Sequence, residues 1–322
     1  VAKFARGVSV VTFEFENVPS ATTGVIDRYC PVRPGGNVLH TTQHRFREKS
    51  FFASHGLPVT PFRRVTSLPE LEEAVADLGI PAVLKTAAWG YDGKGQTIIK
   101  SSADAARAWA ELKTEEAILE AFIDYECEVS VIVARGPSGE TATYGPFRNQ
   151  HSNHILDVTT FPAGLPTPVE QAALEVAREA TLALDVVGIL CIEFFVTRGG
   201  EVMINEVAPR PHNSGHLTID GHVTCQFEQQ VRAVCGLPLG SNRSHGPCAM
   251  ANLLGDVWFA EGLGGEPRWE QALELPGVKL HLYGKQEARL GRKMGHLTAL
   301  GATAEEAEGI VRGARERLVG RG

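Results

Sequence analysis

Several features that would each point to a particular class of protein are missing from the sequence. No apolar run approaches the roughly 20 residues that a membrane-spanning helix needs. The 31 lysines and arginines are outnumbered by 38 aspartates and glutamates, which argues against the broad basic face that nucleic acid requires. The start of the chain, VAKFARG, lacks the charged-then-apolar pattern of a signal peptide. We therefore expect a cytoplasmic protein that binds neither membrane nor nucleic acid.

Common metal and nucleotide signatures are also absent. The six cysteines are widely spaced, form no CxxC pair and have no histidine at the spacing of a zinc site. We interpret them as buried thiols in a reducing compartment. Neither GxxxxGK[ST] nor GxGxxG occurs, which excludes a P-loop and a dinucleotide-binding fingerprint.

What is present is a mixture of helical and strand patterns, in a chain long enough for two or three packed units. In segment 68–78, apolar residues recur at helix-face spacing, and Gly79 is placed to end the helix. We predict helices at 43–55, 68–78, 103–112, 168–184, 222–235 and 303–318. We predict strands at 8–13, 81–86, 96–99, 117–122, 126–134, 187–196, 201–207, 248–254 and 278–283. This mixture indicates an α+β fold in several lobes.

A glycine-rich loop is the first candidate for chemistry. Lys85 lies in the predicted strand 81–86, and the loop GYDGKGQ follows at 90–96. Glycines let backbone N–H groups come close to phosphate oxygens, and the lysine supplies a positive charge. A tight hairpin turn would explain the same glycines, so the spacing alone leaves both interpretations open.

Two carboxylates form the second candidate. Glu193 lies within the otherwise apolar segment GILCIEFFV, and Glu206 ends the next predicted strand beside Asn205. A hairpin would make the two glutamates neighbours. A buried carboxylate is costly unless a cation pairs with it, and two carboxylates with an amide make an oxygen-rich site that Mg²⁺ accepts together with phosphates. The alternative is that each glutamate faces solvent.

Two further polar stretches follow the hairpin. The segment APRPHNSGH at 208–216 is typical of a substrate-binding loop, and its Arg210 could stabilise a developing phosphoryl or carboxylate charge. The segment YGKQEARLGRKMGH at 283–296 places four basic residues within nine positions, which suits a sugar phosphate. A solvated basic turn is the alternative for this second stretch.

An adenine ring would need an apolar slot with backbone hydrogen-bond donors. The strand end EAFI at 120–123 could supply it, and Glu128 could accept hydrogen bonds from ribose hydroxyls. The pattern itself does not distinguish such a slot from an ordinary strand end.

Taken together and in this order, the motifs resemble those of one enzyme family. They are TFEFENVP, LKTAAWGYDGKGQ, EAFIDYECEVSVIVAR, NQHSNHIL, IEFFV with INEVAPRPHNSGH, and RKMGH, and they cover nearly the whole chain. The combination is similar to the 5-(carboxyamino)imidazole ribonucleotide synthases, ATP-grasp enzymes of purine synthesis. The resemblance implies that ATP phosphorylates bicarbonate, and that carboxyphosphate, or CO₂ released from it, carboxylates 5-aminoimidazole ribonucleotide. It also implies Mg²⁺ as a cofactor and a homodimer.

The resemblance also implies roles for individual residues. ATP would contact Arg45, Lys85, Gly90, Tyr91, Asp92, Gly93, Lys94, Gly95, Gln96, Glu120, Ala121, Phe122, Ile123, Glu128, His151, Asn205 and Glu206. Mg²⁺ would be held by Glu193 and Glu206. The ribonucleotide would contact Tyr91, Lys94, Asn213, Ser214, His216, Lys285 and Arg292. The catalytic groups would be Asp92 near the carboxylated amine, Lys293 at the bicarbonate, and Arg210.

The implied architecture is an ATP-grasp fold between two smaller lobes. We predict the remnant of a Rossmann-like lobe at 1–36, the ATP-grasp domain at 37–245 with a lid at about 79–137, and a small β-rich lobe at 246–322. Members of the family normally begin with a glycine-rich strand–turn–helix, which is not found here. We therefore expect the sequence to be a truncated form of a longer protein. Two other functions stay open: another ATP-grasp carboxylate ligase, and an inactive nucleotide-binding remnant.

Overall fold

The computed structural model describes residues 1–88, 95–260, 263 and 265–320. These residues form two sheets in which every neighbouring pair of strands is antiparallel. The helices are α1 (Ala2–Ala5), α2 (Ser20–Ile26), α3 (Gly36–Thr42), α4 (Arg45–Ser54), α5 (Leu68–Leu78), α6 (Ala105–Leu112), α7 (Thr167–Ala183), α8 (Thr218–Gly221), α9 (Gln226–Cys235), α10 (Trp269–Leu273) and α11 (Ala304–Leu318). The strands are β1 (Phe62–Val65), β2 (Ala82–Thr86), β3 (Gln96–Ile99), β4 (Ala117–Ala121), β5 (Tyr125–Arg135), β6 (Thr141–Ser152), β7 (Ile155–Phe161), β8 (Gly188–Thr197), β9 (Val202–Ala208), β10 (Cys248–Leu254), β11 (Lys279–Leu282) and β12 (Lys293–Leu300). Within the described chain, no helix is both long and apolar enough to cross a membrane.

The smaller sheet has the strand order β1-β4-β2-β3 and packs against α5 and α6. Leu71 and Val75 of α5 share one buried core with Leu84 of β2 and Leu119 of β4. The helix ends at Gly79, where φ is +81°, a value that favours glycine. The predicted helix at 68–78 is therefore confirmed together with its end.

The smaller sheet does not coincide with the bounds predicted for the lid, 79–137. Strand β1 and helix α5 precede residue 79 but belong to this unit. Strand β5 falls inside the predicted range but pairs with β6 and β8 of the larger sheet. The limits of the lobes stay a prediction.

The larger sheet has the order β11-β12-β10-β7-β6-β5-β8-β9. Helix α7 packs on β5 and β6, α9 packs on β8 and β5, and α11 packs on β10, β12 and β7. Strands β10 to β12, from the predicted C-terminal lobe, continue the same sheet because β10 pairs with β7, with Cys248 opposite Phe161. The C-terminal strands are thus hydrogen-bonded to the ATP-grasp strands.

Four strands were not predicted: β1, β6, β7 and β12. Strand β6 contains Gly145, Pro146 and a polar run, which hide the alternation that marks a strand. Strands β7 and β12 are also rich in threonine and other polar residues, yet most of their side chains are buried. Because β12 begins at Lys293, the interpretation of 283–296 as a solvated basic turn is wrong for its second half.

The segment at 8–13 is not the buried strand that its β-branched residues suggest. It forms a single parallel bridge, between Val11 and Val32. Its apolar side chains instead join a small core that includes Phe13, Ile26 and Leu39. A β-strand is formed by backbone hydrogen bonds to a neighbouring strand, so a segment with only one paired residue stays irregular.

Candidate functional site

The β8–β9 hairpin places two carboxylates side by side. Glu193 in β8 pairs directly with Glu206 in β9, and the register shifts immediately after Glu193. Ile192 and Phe194, which flank Glu193, are buried in the main core. Because successive side chains of a strand point to opposite faces, Glu193 lies on the face away from that core.

The two carboxyl groups titrate very differently. Burial, followed by the negative charge of Glu206, raises the pKa of Glu193 to about 8. Burial acts in the same direction on Glu206, but the charges of Arg45 and Lys85 outweigh it and lower the pKa of Glu206 to about 2. Of the two carboxyl groups, Glu206 therefore ionises first and Glu193 holds its proton longer. A divalent cation between them would favour the ionised form of both.

Helix α4 presents charged side chains to this hairpin. His44 caps its first turn through the imidazole. The Arg45 guanidinium donates to Oε2 of Glu206 at 2.8 Å. One turn later, Nζ of Lys49 donates to the backbone carbonyl of Asn205 at 2.8 Å. Sequence analysis found Arg45 and missed Lys49, although the i, i+4 spacing puts both on one face of a helix.

The smaller sheet contributes a second ion pair. Nζ of Lys85, in β2, lies 2.8 Å from Oε2 of Glu120, in the adjacent strand β4. Glu120 is only 2% exposed, and a carboxylate buried this deeply needs positive partners. Sequence analysis placed Glu120 at the adenine slot without anticipating its partner, Lys85.

A first cavity, of about 590 Å³, is lined by residues of both sheets. The predicted ATP-binding residues that line it are Arg45, Lys85, Gln96, Glu120, Ala121, Phe122, Ile123, Glu128, His151, Asn205 and Glu206. Asn213, Glu193 and Lys293, predicted for other roles, line it as well. Gly95 turns beside Thr86 with φ +72° and does not line it. The predicted contacts Gly90, Tyr91, Asp92, Gly93 and Lys94 lie outside the described residues.

One end of the first cavity carries a histidine–carboxylate pair. Nδ1 of His151, in β6, lies 2.5 Å from Oε2 of Glu128, in β5. Burial acts to lower the pKa of His151, but the hydrogen bond and charge of Glu128 outweigh it and raise that pKa. Asn153 and His154 form the adjoining turn with positive φ and also line the cavity, which sequence analysis missed.

A second cavity, of about 660 Å³, lies on the other side of the hairpin glutamates. Arg210 lines it, and its Nε lies 3.1 Å from Oε1 of Glu16, near the N-terminus. Glu48 of α4 lines it too, and burial raises the pKa of this carboxyl to about 8. Sequence analysis missed both glutamates. Both cavities are lined by Arg45, Glu193, Glu206, His212 and Lys293.

The shared wall makes the hairpin glutamates accessible from two directions. The Glu206 side chain is 43% solvent-accessible, and it borders both cavities. A group bound in either cavity can therefore reach the carboxylate pair. This arrangement suits the transfer of a group from one bound molecule to another.

His212 lies in the shared wall, between Glu193 and the backbone of Ser214. Its Nε2 lies 3.2 Å from Oε1 of Glu193. Its Nδ1 accepts a hydrogen bond from the backbone N–H of Ser214 at 3.3 Å. Because a backbone N–H can only donate, the neutral ring carries its proton on Nε2, towards Glu193. Sequence analysis missed His212, whereas Ser214, a predicted ribonucleotide contact, is fully buried behind it.

The donor atoms of the shared wall suit Mg²⁺. Oδ1 of Asn205 is buried and has no hydrogen-bond partner, so it is an available oxygen beside Glu206. Glu193 and Glu206 add carboxylate oxygens, and Mg²⁺ prefers such oxygens together with phosphates and water. In the described part of the chain, no three acidic, histidine or cysteine side chains converge on a single point. A cation here would therefore complete its shell with substrate oxygens.

Comparison with known proteins identifies the family. Residues 50–227 match the model of the ATP-grasp domain, and residues 248–309 match that of the phosphoribosylaminoimidazole carboxylase C-terminal domain. The N5-carboxyaminoimidazole ribonucleotide synthase of Bacillus subtilis (strain 168) is 41% identical over 307 residues, which are 95% of this chain and 79% of that protein. This chain belongs to the N5-carboxyaminoimidazole ribonucleotide synthase family. The predicted family and its class, ATP-dependent ligase, are confirmed.

Two more members of the synthase family extend the comparison. The bifunctional purine synthesis protein purC/E of Dictyostelium discoideum is 41% identical over 317 residues, and the chain spans 92% of its own length and 31% of that longer protein. The crystal structure of the N5-carboxyaminoimidazole synthase from Aspergillus clavatus, in complex with ADP and 5-aminoimidazole ribonucleotide, matches with a TM-score of 0.88. It is 28% identical, and the match covers 98% of this chain and 83% of that one. The predicted ATP-grasp fold is confirmed.

Four of the described residues that were predicted to contact the ribonucleotide line neither cavity: Ser214, His216, Lys285 and Arg292. Ser214 is fully buried. His216 packs edge-on against the ring of Tyr283. Nζ of Lys285 donates to the backbone carbonyl of Lys293. Nη1 of Arg292 donates to the carbonyl of Glu287 at 2.6 Å. These four assignments stay predictions.

Proposed function

We propose that the chain carboxylates 5-aminoimidazole ribonucleotide with bicarbonate at the expense of ATP, giving N5-carboxyaminoimidazole ribonucleotide, ADP and phosphate. The observation that supports this most is the wall common to the two cavities, formed by Arg45, Glu193, Glu206, His212 and Lys293. A nucleotide in one cavity and an acceptor in the other would meet at this wall. Positioning of this kind lowers the barrier by removing the entropy cost of encounter.

The nucleotide is assigned to the first cavity. Lys85 and Arg45 would neutralise phosphate charge, and the strand end at 120–123 would hold the adenine. Glu128, kept in place by His151, would accept from the ribose hydroxyls. Glu193, Glu206 and Asn205 would hold Mg²⁺, which supplies positive charge to the phosphates when it is bound. The Aspergillus clavatus relative was solved with ADP and 5-aminoimidazole ribonucleotide, so a member of the family binds both ligands.

The acceptors are assigned to the second cavity. The terminal phosphoryl group would pass to a bicarbonate oxygen, breaking its bond to ADP and forming carboxyphosphate. The amine nitrogen would then attack the carboxyl carbon, forming the C–N bond as phosphate leaves and an amine proton is lost. Arg210, fixed by Glu16, and Lys293 would stabilise the negative charge of these species. Asp92, predicted near the amine, lies outside the described residues.

The test is the release of ADP with each substrate omitted in turn. The proposal expects ADP release only when 5-aminoimidazole ribonucleotide and bicarbonate are both present, with the carboxylated product formed in equal amount. Arg210→Met should bind ATP normally but need about tenfold more ribonucleotide for half-maximal ADP release. ATP turnover that is indifferent to the ribonucleotide would contradict the proposal and favour another ATP-grasp carboxylate ligase. The homodimer and the cytoplasmic location stay predictions.

A further inference from the structure

Lys49 is a buried lysine with hydrogen bonds to two separate parts of the fold. Its side chain is 1% exposed. Nζ donates to Oγ1 of Thr60 at 2.7 Å and to the backbone carbonyl of Asn205 at 2.8 Å. It thus connects helix α4 to the segment before β1 and to strand β9. A lysine is seldom buried this deeply unless a nearby group of opposite charge compensates it.

The compensating group is Glu120, which two lysines share through the same oxygen. Oε2 of Glu120 lies 2.8 Å from Nζ of Lys85 and 3.7 Å from Nζ of Lys49. The Thr60 hydroxyl contacts both groups: it accepts from Nζ of Lys49 at 2.7 Å and donates to Oε2 of Glu120 at 3.4 Å. Burial acts to raise the pKa of Glu120, but the charges of Lys49 and Lys85 outweigh it and lower that pKa. The carboxylate therefore stays ionised although it is almost completely buried.

The two lysines differ in what else they can reach. Lys85 lines the first cavity, whereas Lys49 lines neither cavity. Only Lys85 can therefore turn to a bound nucleotide. If Lys85 left Glu120 and nothing else carried positive charge, a buried carboxylate would lose its partner, and that loss would oppose nucleotide binding.

We propose that Lys49 is a positioning residue that keeps Glu120 compensated, through Thr60, while Lys85 exchanges Glu120 for the nucleotide phosphates. The exchange moves an ammonium group and breaks no covalent bond. It rests on the proposed function in one respect, the assignment of Lys85 to the phosphates of ATP. Without Lys49, Glu120 would retain Lys85, and the phosphates would lose a cation.

The first test compares two ligands in Lys49→Met, which removes the charge and keeps the stem. The dissociation constant of the non-hydrolysable ATP analogue AMP-PNP, measured with Mg²⁺, should rise about tenfold or more, because the phosphates lose one charged hydrogen bond. The dissociation constant of adenosine, measured by competition, should stay within about twofold, since adenosine has no phosphate for Lys85 to bind. A merely structural lysine would weaken both ligands alike or neither, and either result overturns the proposal.

A second variant decides the matter if Lys49→Met fails to fold. Thr60→Val removes the hydroxyl between Lys49 and Glu120 and keeps the shape of the side chain. The matched control is Thr181→Val, because Thr181 is equally buried and its hydroxyl donates within helix α7, to the carbonyl of Ala177. Thr60→Val should raise the dissociation constant of AMP-PNP about threefold over the control, which corresponds to the loss of one neutral hydrogen bond. Thr60→Ser should restore the original dissociation constant. Equal affinities in Thr60→Val and Thr181→Val would overturn the proposal.

These measurements separate the failure of this inference from the failure of the proposed function. Binding of AMP-PNP does not depend on which acceptor is carboxylated. If ADP release proves indifferent to the ribonucleotide but the binding pattern holds, the function is wrong and the role of Lys49 stands. If the carboxylation assay succeeds and the binding pattern is absent, only the role of Lys49 is wrong.

Discussion

The two cavities share a wall but are built in different ways. The first is lined largely by strands β2, β4, β5, β6, β8 and β9, whose backbones are fixed by hydrogen-bonded ladders. The second is lined by helix α4, the segment 15–17 and the residues that follow β9, most of which pair with no strand. The backbone around the first cavity is therefore fixed by sheet hydrogen bonds, whereas the second cavity depends on side-chain contacts such as that of Arg210 with Glu16.

The shared wall also shows how position alone separates two identical side chains. Glu206 faces Arg45 and Lys85 and has its pKa lowered to about 2, whereas Glu193 faces Glu206 and has its pKa raised to about 8. Substitutions confined to one cavity should therefore affect one substrate, and substitutions in the wall should affect all of them.

The largest effect is expected for Glu206→Gln, since Glu206 borders both cavities. Loss of its charge would remove a proposed magnesium ligand and the partner of Arg45, so ADP release should fall by about 10³-fold. Circular dichroism should show an unchanged fold, because the substitution keeps the size of the side chain. Retention of a tenth of the activity would show that the wall does not hold the metal.

Lys293→Ala is expected to come next. Loss of this cation should lower carboxylation about 10²-fold, as removal of one charge-stabilising donor does, while the dissociation constant of AMP-PNP changes little. Lys279→Ala is the matched control, an exposed lysine on the neighbouring strand β11. If Lys293→Ala keeps the activity of that control, its assignment to the bicarbonate centre is wrong.

A pair of single substitutions tests the separation of the cavities directly. Lys85 lines only the first cavity and Arg210 only the second. Lys85→Met should raise KM for ATP about tenfold and leave KM for the ribonucleotide nearly unchanged, and Arg210→Met should do the reverse. Steady-state kinetics with each substrate varied would check this. Equal changes in both constants for either variant would mean that the cavities are coupled.

The smallest effect concerns the His151–Glu128 pair of the first cavity. The pKa of His151 is raised in the folded protein, so the pair stabilises the fold below the ordinary value of 6.5, and the contribution is lost as pH rises through the raised pKa. The free energy of unfolding should lose about 0.5–1 kcal/mol in this way, a typical amount for a partly exposed ion pair. Urea unfolding of the protein and of His151→Gln at pH 6 and pH 9 would measure it. If the unfolding free energy of His151→Gln depends on pH as that of the unsubstituted protein does, a group other than His151 is responsible.

The sequence allowed the first cavity to be predicted far better than the second. Glu193 and Glu206 could be found because a charged residue in an apolar strand is visible locally, and the hairpin brings them together over a short distance. Lys49 was missed because its burial depends on Thr60 and Asn205, which are distant in sequence. The ion pair of Arg210 with Glu16 likewise joins residues that are far apart in the chain, and no periodicity encodes it.

The fold shows the same division. Helix α5 follows from its own spacing and its glycine end, whereas the pairing of β7 with β10 depends on residues far apart in the chain. The segment at 8–13 had the composition of a strand but has only one paired residue. Composition thus predicts a tendency, and the tertiary partners decide the result.

The order of strands in the larger sheet has a consequence for the spacing of the charges in the shared wall. Lys293 begins β12 and Glu193 lies in β8, five strand-to-strand steps away. On a flat sheet, steps of about 4.8 Å would separate the two strands by about 24 Å. Both side chains border the same cavities, so the sheet has to curl into a trough whose rims approach each other.

Irregular positions within the sheet contribute to this curvature. The β5–β6 register shifts after Ser130, opposite Gly145, whose φ is +93° and whose missing Cβ would come within 2.8 Å of the Ser130 carbonyl. Bulges of this kind bend the strands that contain them. Gly145 lines neither cavity, yet through the bend of the trough it helps to set how far the lysine of one rim stands from the carboxylates of the other.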